Sequence, residues 1–161
     1  MKKIMPVLML LMFCAVSFAQ NKPPIAVYVT SGNTMEEDRV LSTIMSTAIA
    51  QMNIFELIER GDAFLDEVAR EHYKQRDGSV DDAQIRTIGR QFGVQFVCVG
   101  QIAFAFGGAQ ISARVIDVET GAVLGVDNAS LTTISIKSIT DGLNNVVRSM
   151  TPQIVRSLSR M

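Results

Sequence analysis

The chain has 161 residues, with 15 basic and 16 acidic side chains, one histidine and two cysteines. No basic run supplies the concentrated cationic footprint that a nucleic-acid partner requires, and two cysteines do not make a disulfide framework. The chain is long enough to bury the core of one globular domain.

Residues 1–19 read as a secretory signal. Lys2 and Lys3 form the basic start, Ile4 to Val16 the apolar middle, and Ser17-Phe18-Ala19 the peptidase site, with Gln20 as the new N-terminus. A lipoprotein reading would use Cys14, but Phe13 stands where a small residue belongs. Losing Lys2 and Lys3 leaves 13 basic against 16 acidic residues, a net charge of −3. No later apolar run is long enough to cross a membrane as a helix. Only Cys98 survives cleavage; it stands in the most apolar strand and is read as a buried thiol acting as a small hydrophobe rather than a reactive one.

Residues 20–24 form an extended leader, because Pro23 and Pro24 disfavour helix before them. The domain is expected over 25–161. Ile25 to Val29 is a strand, and Thr30 to Asn33 a turn. Thr34-Met35-Glu36-Glu37 is a capping box that opens a helix. Val40, Leu41, Ile44, Met45, Ala48, Ile49 and Met52 are its apolar stripe, and Asn53 ends it. Phe55 to Arg60 predicts a second strand, and Asp62 caps a helix carrying Phe64, Leu65, Val68 and Ala69. A third helix begins near Ser79 and stops at Gly93, in the position favoured for a left-handed cap.

Val94 to Phe106 is apolar at nearly every residue, as in a strand covered on both faces. Gly107-Gly108 and Glu119-Thr120-Gly121 mark hairpins around a strand from Ile111 to Val118. There Ile111, Ala113 and Val115 face one way, and Gln110, Ser112 and Arg114 the other. Ala122 to about Ile134 is the last strand. A final helix carries Ile139, Leu143, Val146, Val147, Met150, Ile154 and Leu158 on one face, with a kink expected at Pro152. The order β-α-β-α-α-β-β-β-α describes a single α/β domain with a mixed sheet packed by helices.

No catalytic constellation stands out. His72, among Asp66, Glu67 and Glu71, is read as part of a solvated helix face rather than a metal site. The turn Thr30–Asn33 precedes a helix N-terminus, where anions bind, but lacks the glycines and lysine of a phosphate loop. Asn128-Ala129-Ser130 matches a glycosylation acceptor, a motif common by chance. Phe104 and Phe106 share a face close to a hairpin tip. They either close the end of the core or, with Gln110, Ser112 and Arg114, mark a partner-binding surface.

Three segments then carry a resemblance: Phe55 to Arg60, Ile88 to Gly100, and Ile111 to Leu124. In this order they resemble the signatures of the curli production assembly/transport component (CsgG) family and its relatives, which include LpoB-type periplasmic activators of penicillin-binding proteins. Val94 and Gln95 depart from the family's usual alanine and aspartate. The resemblance implies an anticodon-binding-like, TolB N-terminal-like periplasmic domain. It implies no enzyme and no cofactor, but a binding or assembly role with another envelope protein, homo-oligomerisation left open.

Pore-forming members insert hairpins whose membrane strands need about 9–11 residues each. The gaps at Ala103–Gln110 and Thr132–Lys137 are too short for that. The family's lipid anchor is also missing. The expectation is a soluble periplasmic accessory protein acting in assembly, secretion or cell-wall synthesis. The alternatives are a multimerising subunit beside a curli-type secretion channel and a small-ligand binding module.

Overall fold

The computed structural model describes residues 22–58, 82–105 and 107–161. The expected signal segment, the helix with His72, and Phe106 lie outside the described residues. Strands β1 (Pro24–Thr30), β2 (Glu56–Leu57), β3 (Phe96–Ala105), β4 (Gly108–Asp117) and β5 (Val123–Leu131) form one sheet, in the order β2-β1-β3-β4-β5. β1 is parallel to both β2 and β3, whereas β3-β4-β5 is an antiparallel meander. Helices α1 (Met35–Gln51), α2 (Asp82–Gln91) and α3 (Ile136–Leu158) pack on it. The domain is α/β with a mixed sheet.

The two faces of the sheet follow from period-two alternation. Ile25, Val27 and Val29 of β1, Phe96, Cys98 and Ile102 of β3, and Ile111, Ala113 and Val115 of β4 point to one side. There they join Met45 and Ile49 of α1 and Leu143, Val146 and Met150 of α3. Ala26, Tyr28, Val97, Val99 and Ile116 point to the other side, against Ile85 and Ile88 of α2. Each aliphatic side chain fully withdrawn from water contributes about 1.5–3 kcal/mol, so these two clusters set the architecture.

α1 begins at the expected N-cap, with one arm of the box formed: the Thr34 hydroxyl accepts from the Glu37 N–H at 3.2 Å. It is fastened to β1 by Ser42, whose Oγ accepts from the Val29 N–H at 2.8 Å. Asn53, at φ 58°, turns the chain after α1, and Gly93, at φ 66°, turns it after α2. Asp117, almost fully buried, accepts from the Thr120 N–H at 2.6 Å. Arg86 and Arg90 donate to the Glu119 carbonyl and dock α2 on this turn.

Three features differ from expectation. β2 is two residues long, pairing only with Pro24 and Ile25. Its neighbour Phe55 instead enters the core, edge-on to Phe96 with ring centroids 5.5 Å apart. β3 is covered on both faces only as far as Gly100, and beyond it Gln101, Ala103 and Ala105 are exposed. β5 stops at Leu131, because Ser135 and Ser138 form a reciprocal cap that starts α3. α3 then runs on through Pro152 at an exposed position.

Candidate partner-binding groove

The apolar side chains facing α1 and α3 recur along β3 at Phe96, Cys98, Ile102 and Phe104. α1 and α3 both begin near the far end of that strand, so the helical layer stops before the strand does. Phe104, the last of the series, is left 38% exposed. A cleft of about 580 Å³ opens there between the two helix N-termini. Its walls are Val40, Leu41, Phe104, Ile134, Ile136 and Ile139, and its rim is Ser31, Asn33, Glu36 and Glu37. Val40 is 49% exposed, Ile134 47% and Ile136 77%, which makes a contiguous apolar patch rather than scattered side chains.

Both flanks are held rigidly. Ser31 donates from its N–H to the Asp38 carboxylate at 2.7 Å, Gly32 to the Thr30 hydroxyl and Asn33 to the Ser31 hydroxyl. The N–H groups an anion would need are thus occupied by the loop's own side chains, and the turn is a cap. On the other flank Ser138 N–H donates to Ser135 Oγ at 3.1 Å and Ser135 N–H to Ser138 Oγ at 2.9 Å. Ile134 precedes this cap and Ile139 follows it by four residues. Both line the cleft, in the positions of a hydrophobic staple.

Charge is asymmetric around the mouth. Glu36, Glu37 and Asp38 occupy the first turn of α1, where the helix dipole favours acids. The first turn of α3 holds no acid and carries Lys137.

The residues singled out from sequence do not meet on one surface. Phe104 faces the helices and the cleft. Gln110, Ser112 and Arg114 lie on the opposite face of the sheet, with Val126, Asn128 and Ser130 of β5 beside them. Arg114 forms an ion pair with Asp82 at 2.6 Å, which ties β4 to the start of α2. Gln110 donates to Asn128 Oδ1 at 3.3 Å and accepts from Ser130 Oγ at 2.7 Å. This polar face is internally hydrogen-bonded, whereas the cleft presents carbon.

No family model matches the chain, and no curated protein matches it. Solved structures do. The PelC dodecamer from Paraburkholderia phytofirmans is 12% identical, with a TM-score of 0.50 over 84% of this chain and 89% of that one. The LpoB C-terminal domain from Salmonella enterica is 16% identical, with a TM-score of 0.47 over 70% of this chain and 84% of that one. TolB from Acinetobacter baumannii is 16% identical, with a TM-score of 0.47 over 86% of this chain and 29% of that one. The likeness to PelC is one of fold. No comparison bears out the resemblance to the curli transport family, which rests on the three sequence segments alone.

Val40, Leu41, Ile134 and Ile136 carry no signal as a group in the sequence. Val40 and Leu41 belong to an ordinary helix stripe, and Ile134 reads as a strand end. The Ser135–Ser138 cap is the one local cue that separates Ile134 and Ile136 from β5.

Cys98 takes no part in the site. It is fully buried, and burial pushes its thiol up to about 12, against the weaker opposite pull of Arg114. Among the described residues no group of three or more histidine, cysteine or acidic side chains is placed to hold a metal.

Proposed function

We propose that this chain is a non-catalytic accessory module of the bacterial envelope that works by docking another protein into the cleft between α1 and α3. The observation that carries the proposal is the apolar patch of Val40, Phe104, Ile134 and Ile136, held open by two capped helix starts. Exposed carbon bounded by a polar rim is the usual character of a protein-binding surface. Ser31 and Ser135 at the mouth are engaged in local hydrogen bonds, and the cleft walls are apolar, which makes side-chain burial the main source of affinity. The envelope address comes from the signal-like first 19 residues, and an assembly or cell-wall role from the family resemblance.

Crosslinking in intact cells, followed by denaturing purification of the tagged chain, tests the docking role. A single additional protein bound in fixed proportion is the expected result. Recovery of the uncrosslinked chain alone would refute it.

A further inference from the structure

The sheet ends in β5, and an edge strand alternates between residues whose N–H and C=O point to the neighbouring strand and residues whose groups point outward. Val126 is of the outward kind, since both its main-chain groups are taken by one side chain. Gln153 Oε1 accepts from the Val126 N–H at 3.3 Å, and Gln153 Nε2 donates to the Val126 carbonyl at 3.1 Å. The carboxamide thus stands in for the peptide group of a missing strand. Ser157 donates to the Leu124 carbonyl at 3.0 Å. The β1 edge is guarded in the same way by Ser42, which accepts from the Val29 N–H and donates to its carbonyl.

The guard on β5 is incomplete. The β4–β5 register is regular from Gly125 to Leu131, so Asn128 and Ser130 share the outward parity of Val126. Both are exposed, and by this parity their main-chain groups point away from β4, with no other main-chain partner among the described residues. Four hydrogen-bonding groups therefore remain open, bounded on one side by Gln153 and on the other by the strand end at Leu131.

We infer that this open stretch pairs with the same stretch of a second copy, through a two-fold axis at Ala129. The open groups are themselves symmetric about Ala129, and this is what selects the occupant. Asn128 of each copy pairs with Ser130 of the other, which satisfies every open group on both chains. Asp127 then lies opposite Leu131 rather than opposite a second carboxylate, so no like charges meet. A longer strand from a different protein would run into Gln153. Four main-chain hydrogen bonds over a small area give a weak, concentration-dependent dimer, well short of the roughly 1,000 Å² of a stable interface. Gln153 acts as the stop that keeps it weak.

Sedimentation velocity over a range from about 10 μM to about 1 mM covers the affinities expected of so small a contact. The wild-type chain is expected to show a reversible monomer–dimer shift. S130P removes one outward N–H that β4 does not use, at an edge position where proline is tolerated, and should abolish the shift. Q153A frees the two groups of Val126, allows three pairs centred on Asn128, and should tighten the dimer by about tenfold or more. Should S130P fail to fold, the opposite shift of Q153A carries the test. A wild-type monomer at every concentration would overturn the inference and leave the edge to a strand from another protein. Dimerisation unaffected by Q153A would overturn it equally.

Discussion

Aspartate at both Phe104 and Ile136 is expected to abolish recovery of the docked protein while leaving the melting temperature within a few degrees of wild type. Ile136 is 77% exposed and Phe104, 38% exposed, stands at the open mouth of the cleft, so both carboxylates can reach water in the free chain. In the complex the same carboxylates would face desolvation against a partner's apolar surface. Loss of central apolar anchors typically costs about 2–4 kcal/mol, or roughly 30- to 1,000-fold in affinity. Arg114→Ala provides the control on the opposite face. It removes a partly exposed ion pair with Asp82, worth about 0–1 kcal/mol, and should leave docking unchanged. Equal losses from both variants would mean that folding, not the cleft, had been perturbed.

Leu143→Ala should produce the largest loss of stability. Leu143 is fully buried on the face of α3 that closes the sheet, in the cluster with Val146 and Met150. Truncating a leucine in such a site removes about 2–5 kcal/mol, the lost transfer energy plus the cavity left behind. Domains of this size are stable by only about 5–15 kcal/mol, so thermal melting should fall by about 10 °C or more. Ile136→Ala, on the exposed first turn of the same helix, should stay within about 0.5 kcal/mol of wild type. Circular dichroism melts of the two variants separate core from cleft. A small effect at Leu143 would mean that α3 is not held on the sheet as described.

Most of the fold is legible in the sequence, because strong patterns were not overridden by tertiary context. The stripe from Leu41 to Ile49, the stripe from Ile139 to Ile154, and the alternation from Gln110 to Val115 place α1, α3 and β4 on their correct faces. Gly93 and Asn53 mark helix ends because each takes up the left-handed backbone there. Extents were harder to read. Phe55 to Arg60 reads as a short strand, yet among the described residues pairing is limited to Glu56 and Leu57, and Phe55 is drawn off to pack on Phe96.

The cleft was largely hidden. Its residues come from α1, β3 and the start of α3, and only the packing of these elements brings Val40, Phe104 and Ile136 to one mouth. Phe104 could be proposed from its place near a hairpin tip. Its separation from Gln110, Ser112 and Arg114 depends on the register of β3 with β4, where Phe104 pairs with Ala109 and Gln110 with Ala103. Adjacent strand positions face opposite ways, so residues close in sequence became two surfaces.

A photo-crosslinking residue placed singly at Phe104, Ile136, Ser112 and Arg156, and activated in living cells, tests the docking account most directly. Adducts of one common mass at Phe104 and Ile136, absent at Ser112 and Arg156, are the predicted result. Adducts confined to Ser112, or no adduct at either cleft position, would contradict it.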